Sequence, residues 1–384
     1  MPRAPLSCFI IVLMALLHSP SASAAGDNTP EANPLALLKS RNYGALETYY
    51  ADRQRRYESG VISDETLYGT FRALYEDSAA NEPYFNGWVR AFPKSYTARM
   101  ARGAYYYRMA WFVRGGKFIS ETPPEQIEQM EQYLAKAVPD LMASLEMTDK
   151  PYLSTLYLLN ASTLSGSHEF RRYWLDMGNE IDPANVLLRS RYMFSLRPRW
   201  GGSYPEMREF LAECERRHLP ARTLVKLDLM FKRDFADEAS KTASPAERYA
   251  LWGEILRLEK AAGESPSVEA VMRHTRAAWD SGRREETDRG LEQLARLHVH
   301  QAWALSQIGW IYTQQHRDVE AWPFLLKAAE LNDAWAQFAV GKTTYLGCPD
   351  INLPANRSAG LAWIQRSADQ EFAEAQAFLS SARE

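Results

Sequence analysis

The chain has 384 residues, with 45 Lys and Arg against 48 Asp and Glu and a formal net charge of −3. That near-neutral balance, with no long basic block, excludes the electrostatic footprint of a nucleic-acid binder. Three cysteines are too few for the disulfide lattice that replaces a core in small secreted domains, so the fold must rest on a substantial apolar core.

The first residues carry Arg3, an apolar run from Phe9 to Leu17, and small residues ending Ser23-Ala24-Ala25. This pattern reads as a cleaved export signal over residues 1–25, because the run is too short to span a bilayer and the small triplets suit signal peptidase. Cys8 precedes the apolar run, which is the wrong side for a lipid-bearing cysteine. No later stretch is long and apolar enough for a membrane helix, so the mature chain is expected to be soluble, in the periplasm or secreted. Residues 26–34, small, polar and broken by proline, read as a linker.

From residue 35 onward apolar side chains recur at three and four, as in Leu67, Phe71 and Leu74, which is the helical period. Prolines such as Pro93, Pro123, Pro124, Pro139, Pro151, Pro183, Pro205 and Pro245 fall between the periodic segments, where a first helical turn tolerates the missing N–H. Ser63, Thr122, Asp182 and Ser244 stand where an N-cap is needed. Together these predict about eighteen short helices joined as antiparallel hairpins. Residues 233–243 are charged and poor in large apolar groups, and mark the expected boundary between a helical domain at 35–232 and a repeat region at 245–384.

The first domain holds the strongest candidate surface. Arg197, Arg199, Trp200 and Ser203 fall in a Arg-Pro-Arg-Trp-Gly-Gly-Ser run, and Arg102 and Arg114 sit twelve apart on one helical stretch from which both could join Arg199 in a groove. Two cations, an indole and a hydroxyl can hold a carboxylate or stack on a sugar or aromatic ring. The competing structural role makes Trp200 a core plug, the glycines a turn and Ser203 a helix cap. Tyr105, Tyr106, Tyr107 and Trp111 are expected in the core more than in a glycan groove. His298 and His300, two apart, face different sides of a helix and do not make a metal pair. Glu125, Glu128 and Glu131 read as a solvated face. No catalytic constellation, cofactor motif or metal-ligand spacing emerges from the sequence, and Cys214 and Cys348 could pair only if the fold brings them together.

Residues 302–376 repeat themselves. Ala302, Ala304 and Gly309 return 32 residues later as Ala334, Ala336 and Gly341, while Ala373 and Ala375 follow Ala334 and Ala336 by 39. Such periods mark a helical solenoid, which buries its core between neighbouring hairpins and binds partners on a concave face. The stretch from Ala334 to Gln376 resembles the Sel1-like repeat, a relative of the tetratricopeptide repeat, over about the last 85 residues. Glu371 stands where that family has glycine, Gly360 where it has alanine, and the loop 348–354 lacks the Gly-x-Gly turn. Earlier, Trp88, Pro93 to Ala98, Arg102-Gly103, Trp111, Asp182-Pro183 and the Arg-Trp-Gly-Gly-Ser run resemble a bacterial domain of unknown function, DUF4034, over residues 35 to about 230. The expected whole is an all-α solenoid preceded by a helical domain, acting as an envelope scaffold for a protein or peptide partner. The alternative is a cell-wall glycan or peptide binder, or an enzyme, centred on the Arg-Trp-Gly-Gly-Ser motif. A third possibility is self-association through an apolar face of Phe372, Ala375, Phe378 and Leu379 on the last helix.

Overall fold

The computed structural model describes residues 33–382, so the expected export signal and most of the expected linker lie outside the described residues. The linker's last two positions belong to the fold, since Asn33 caps a helix that begins at Pro34. Among the described residues the chain is all-α, with nineteen α-helices, four single-turn 3-10 segments and one isolated antiparallel bridge between Cys348 and Leu353. It divides into two compact units, one ending at Phe231 and the other beginning at Lys232.

The first unit contains α1 (Pro34–Lys39), α2 (Tyr43–Glu58), α3 (Asp64–Arg72), α4 (Glu82–Ala91), α5 (Tyr96–Arg114), α6 (Pro124–Ser144), α7 (Tyr152–Leu164), α8 (His168–Ile181), α9 (Leu187–Ser195) and α10 (Tyr204–Arg216). Its main hairpin is α5 against α6. Gly103 makes that approach possible, because a Cβ there would stand 2.7 Å from Leu141 Cγ. Pro139, expected between helices, instead lies inside α6. The lost backbone bond costs about 3 kcal/mol, which the long contact with α5 offsets. Asp140, beside the proline, strengthens that contact by accepting from Arg102 at 2.6 and 2.8 Å. Helix α7 is buried on nearly every side, from Tyr152 through Leu164, and forms the centre of the unit. Tyr105 stacks on Phe85 at 4.6 Å and Tyr107 meets Tyr157 at 5.7 Å, so these aromatics are core.

Helix α11 (Ala221–Ala239) runs through most of the charged stretch expected to mark the boundary between the two regions. The charges there are answered, with Arg233 donating to Glu259 and Glu264, both at 2.8 Å, and Ala236 is buried.

The second unit continues through α12 (Pro245–Ala261), α13 (Val268–Asp280), α14 (Arg284–Arg296), α15 (Ala302–Gln314), α16 (Asp318–Glu330), α17 (Ala334–Leu346), α18 (Arg357–Ala368) and α19 (Ala373–Ser381). These pack as successive hairpins, α13 with α14, α15 with α16 and α17 with α18, and α13 also lies against α15. Ser244 and Glu247 form a reciprocal capping box at the start of α12. The repeated glycines have one purpose. A Cβ at Gly309 would come within 2.4 Å of Leu325 Cδ2, and one at Gly341 within 2.7 Å of Ile364 Cγ1, so each marks where the two helices of a hairpin cross. Gly360, the departure from the repeat pattern, sits on the other side of the second crossing, where a Cβ would stand 2.6 Å from the Tyr345 Cβ and backbone nitrogen. Glu371 holds a left-handed φ of +63°, the conformation for which the family glycine is suited. At α19, Ala375 is buried, and Phe378 and the capping Phe372 pack on Phe338 at 6.3 and 5.6 Å.

Candidate functional site

The Arg-Trp-Gly-Gly-Ser run joins α9 to α10. After Ser195 the chain makes a 3-10 turn at Pro198–Trp200, then reverses at Gly201, whose φ is +80°. Gly202 has no room for a side chain, since its Cβ would stand 2.2 Å from the Leu196 carbonyl oxygen. Ser203 caps α10 by accepting from the Glu206 amide. Arg171 of α8, almost wholly buried, fastens the turn by donating to the carbonyls of Ser195 at 2.8 Å and Trp200 at 2.9 Å.

Trp200 is 9 % exposed, with its ring covered by Trp111 at 5.5 Å and Phe194 at 5.6 Å. It belongs to an apolar cluster with Ala110, Met130 and Leu164, and the guanidinium groups of Arg114 at 5.0 Å and Arg199 at 5.9 Å also lie near its ring. An indole enclosed in this way has no free face for a sugar ring. Arg114, 4 % exposed, donates to the carbonyls of Gly115 and Lys117, each at 3.1 Å. Burial, reinforced by Arg199, pulls its pKa below the usual guanidinium value. Arg199 donates to the Gly116 carbonyl and lies 4.5 Å over Phe118. Arg197 lies 4.8 Å over Phe194.

The structure therefore brings Arg114, Arg197, Arg199 and Trp200 to one turn, with Ser203 at its exit. Arg102 does not join them, because Asp140 and Asn86 hold it elsewhere on α5, the latter at 3.0 Å. Thr122 does not cap α6, as its hydroxyl donates back to the Phe118 carbonyl at 2.9 Å. Cys214 and Cys348 are both free thiols. Among the described residues, Asp318, Cys348 and Asp350 bring their ligand atoms within 4.8 Å of one another, a group that sequence spacing did not single out because its members come from the start of α16 and the turn after α17. None of the three is buried.

Residues 166–231 match the family model described as a domain of unknown function, DUF4034. That segment runs from the start of α8 into α11 and contains the whole Arg-Trp-Gly-Gly-Ser turn with Arg171, its fastener. It is narrower than the 35 to 230 over which the resemblance was drawn. No curated protein sequence matches the chain. Among solved structures, a Sel1 repeat protein from Oxalobacter formigenes is similar, at 14 % identity and a TM-score of 0.43, with 96 % of this chain and 99 % of that one covered.

Outside the DUF4034 segment, the repeats present a second surface that the sequence reading missed. On α13, Arg273 and Arg276 project toward α15, where Trp303, Gln307 and Trp310 form a stripe at four- and seven-residue spacing. The Arg276 guanidinium lies 3.9 Å from the centre of Trp310 and donates to Gln307 Oε1 at 2.5 Å, while Arg273 lies 5.7 Å from Trp303. Arg284 covers Trp279 at 3.7 Å. These residues are half-buried or more open. The i, i+7 tryptophans were visible in the sequence, but their arginine partners come from another helix.

Proposed function

We propose that this helical-repeat protein is an exported scaffold that binds a protein or peptide segment in the bacterial envelope. The observation that carries the reading is the face of Arg273, Arg276, Trp303, Gln307 and Trp310, where half-buried indoles lie under guanidinium groups along two packed helices. Tryptophan and arginine dominate binding hot spots because each combines a large contact area with a polar handle and loses little conformational freedom when already packed. Helical hairpins supply the rigid support, and recognition needs no covalent step. The character of residues 1–25 supports a partner outside the cytoplasm.

The test is capture from envelope extract with the unaltered chain and with Arg273→Glu/Arg276→Glu, after circular dichroism shows both folded. A partner held by the first and lost by the second is the expected result. Equal capture by both, or recovery of the chain only from cytoplasmic fractions, would overturn the proposal.

A further inference from the structure

A cleft of about 250 Å³ opens between the end of α8, the start of α9 and the end of α10, walled by Asn179, Pro183, Arg189, Arg217 and Leu219. All five residues belong to the segment 166–231, whereas the arginine and tryptophan face of the repeats belongs to the other unit. At its back stands Arg189, only 2 % exposed. Its Nη1 donates to the Asn185 carbonyl at 2.6 Å and its Nη2 to the Pro183 carbonyl at 2.9 Å. Neither partner carries charge. A buried guanidinium with no carboxylate in hydrogen-bond contact is costly, and it lowers that cost by taking up an anion.

Of the neighbouring carboxylates, Asp182 acts on Arg189 only without a hydrogen bond, and the others are engaged by other arginines. Arg217 donates to Glu213 at 3.0 Å, but Arg172 holds the same carboxylate at 2.7 and 2.9 Å and also Asp176 at 2.9 Å. Arg172, Arg189 and Arg217 thus stand near three carboxylates, Glu213, Asp176 and Asp182, and Arg189 is the one that hydrogen-bonds backbone carbonyls and no carboxylate. Burial holds its pKa below the usual guanidinium value, with Arg217 across the cleft adding to the effect and the Cys214 thiol, Tyr152 and Asp182 opposing it. Asn179 spends its Oδ1 on the Asn185 amide at 3.1 Å, which leaves its own N–H groups for the cleft. Pro183 and Leu219 make the rest of the wall apolar.

We propose that this cleft binds a carboxylate carrying a small apolar group, with the anion between Arg189 and Arg217, an N–H of Asn179 donating to it, and the apolar part against Pro183 and Leu219. With Glu213 already beside Arg217, the two guanidinium groups match a monoanion better than a phosphate dianion. The volume is below the roughly 300–1,000 Å³ of drug-sized sites, so it takes one residue-sized group, either a free acid or the end of a chain.

Ligand-observed NMR on the full-length chain tests this with N-acetyl-leucine, N-acetyl-leucinamide, inorganic phosphate and a tetrapeptide ending in leucine with a free carboxylate. N-acetyl-leucine is expected to bind, and the amide and phosphate at least tenfold more weakly. Asn179→Asp, which keeps the acceptor used by Asn185 but adds a negative charge, and Arg217→Gln should each weaken binding at least tenfold. Binding of the tetrapeptide as tight as that of the monomer assigns a chain terminus, and binding of the monomer alone assigns a free acid; both uphold the carboxylate site. The proposal is overturned if the acid does not bind, if the amide or phosphate binds equally well, or if the folded Asn179→Asp chain binds unchanged. The amide comparison decides alone should either variant misfold.

Discussion

Asp64 caps a helix 123 residues away: its Oδ2 accepts from the backbone N–H of Leu187 at 3.2 Å and of Val186 at 3.3 Å, where α9 begins. The same oxygen takes the Tyr152 hydroxyl at 2.7 Å, and that hydroxyl accepts in turn from the Leu188 amide at 3.1 Å. Asp182, which the local sequence offers as the cap, instead accepts from the Ala184 amide within its own turn. One buried carboxylate on α3 thus ties α7 to α9. Asp64→Ala leaves a hydroxyl and two amides without their acceptor and should cost about 2–4 kcal/mol. The urea midpoint measured by circular dichroism would fall accordingly, and an unchanged midpoint would show that water replaces the carboxylate at no cost.

Trp200 and Arg199 are adjacent in sequence and should behave differently when truncated. Trp200 fills the space between Trp111 and Phe194, so Trp200→Ala should destabilise by about 3–5 kcal/mol through the cavity it leaves. Arg199 is exposed and contributes one backbone hydrogen bond and cation–ring contacts, so Arg199→Ala should cost about 1 kcal/mol or less. Similar losses in thermal melts of the two variants would contradict this division.

The hairpins were legible because their requirement is local: Gly309 and Gly341 must be glycine where two helices cross, so the spacing appears in the chain itself. The same holds for the Arg-Trp-Gly-Gly-Ser turn, where Gly201 needs its left-handed φ and Ser203 caps the helix immediately following. What the sequence did not disclose depends on distant partners. Asp140 claims Arg102, the α5 contact lets Pro139 remain inside a helix, and α13 supplies the arginines that lie over Trp303 and Trp310. The cleft around Arg189 was illegible for the same reason, since an arginine reads as solvated until its surroundings show it buried against backbone carbonyls.

Two departures from the Sel1-like pattern should respond in opposite directions when restored. Glu371 adopts a left-handed φ at a cost of about 1 kcal/mol, and Glu371→Gly should recover part of it, stabilising by about 0.5–1 kcal/mol. Gly360→Ala places a methyl against the Tyr345 backbone and Cβ, and should destabilise by about 1–3 kcal/mol unless α17 and α18 separate. Differential scanning calorimetry would read both shifts. A stabilising Gly360→Ala would mean that the α17 and α18 crossing is looser than its geometry.

His274 gives the second unit a pH dependence of definite sign. Its ring stacks on Tyr249 at 4.2 Å, and burial, with Arg283 nearby, holds its pKa below the ordinary value of 6.5. The folded chain keeps this histidine neutral at a pH where the unfolded chain already protonates it. The unfolded state therefore binds more protons in that window, and stability must decline as pH falls from about 6.5 through the depressed folded pKa. Above the window the contribution is fully present. His274→Gln removes the titration and should flatten that part of the stability curve, an effect measured as the difference in urea midpoint between pH 7.5 and pH 5. An identical pH dependence in both chains would assign the acid sensitivity to other groups and leave His274 as an ordinary packed ring.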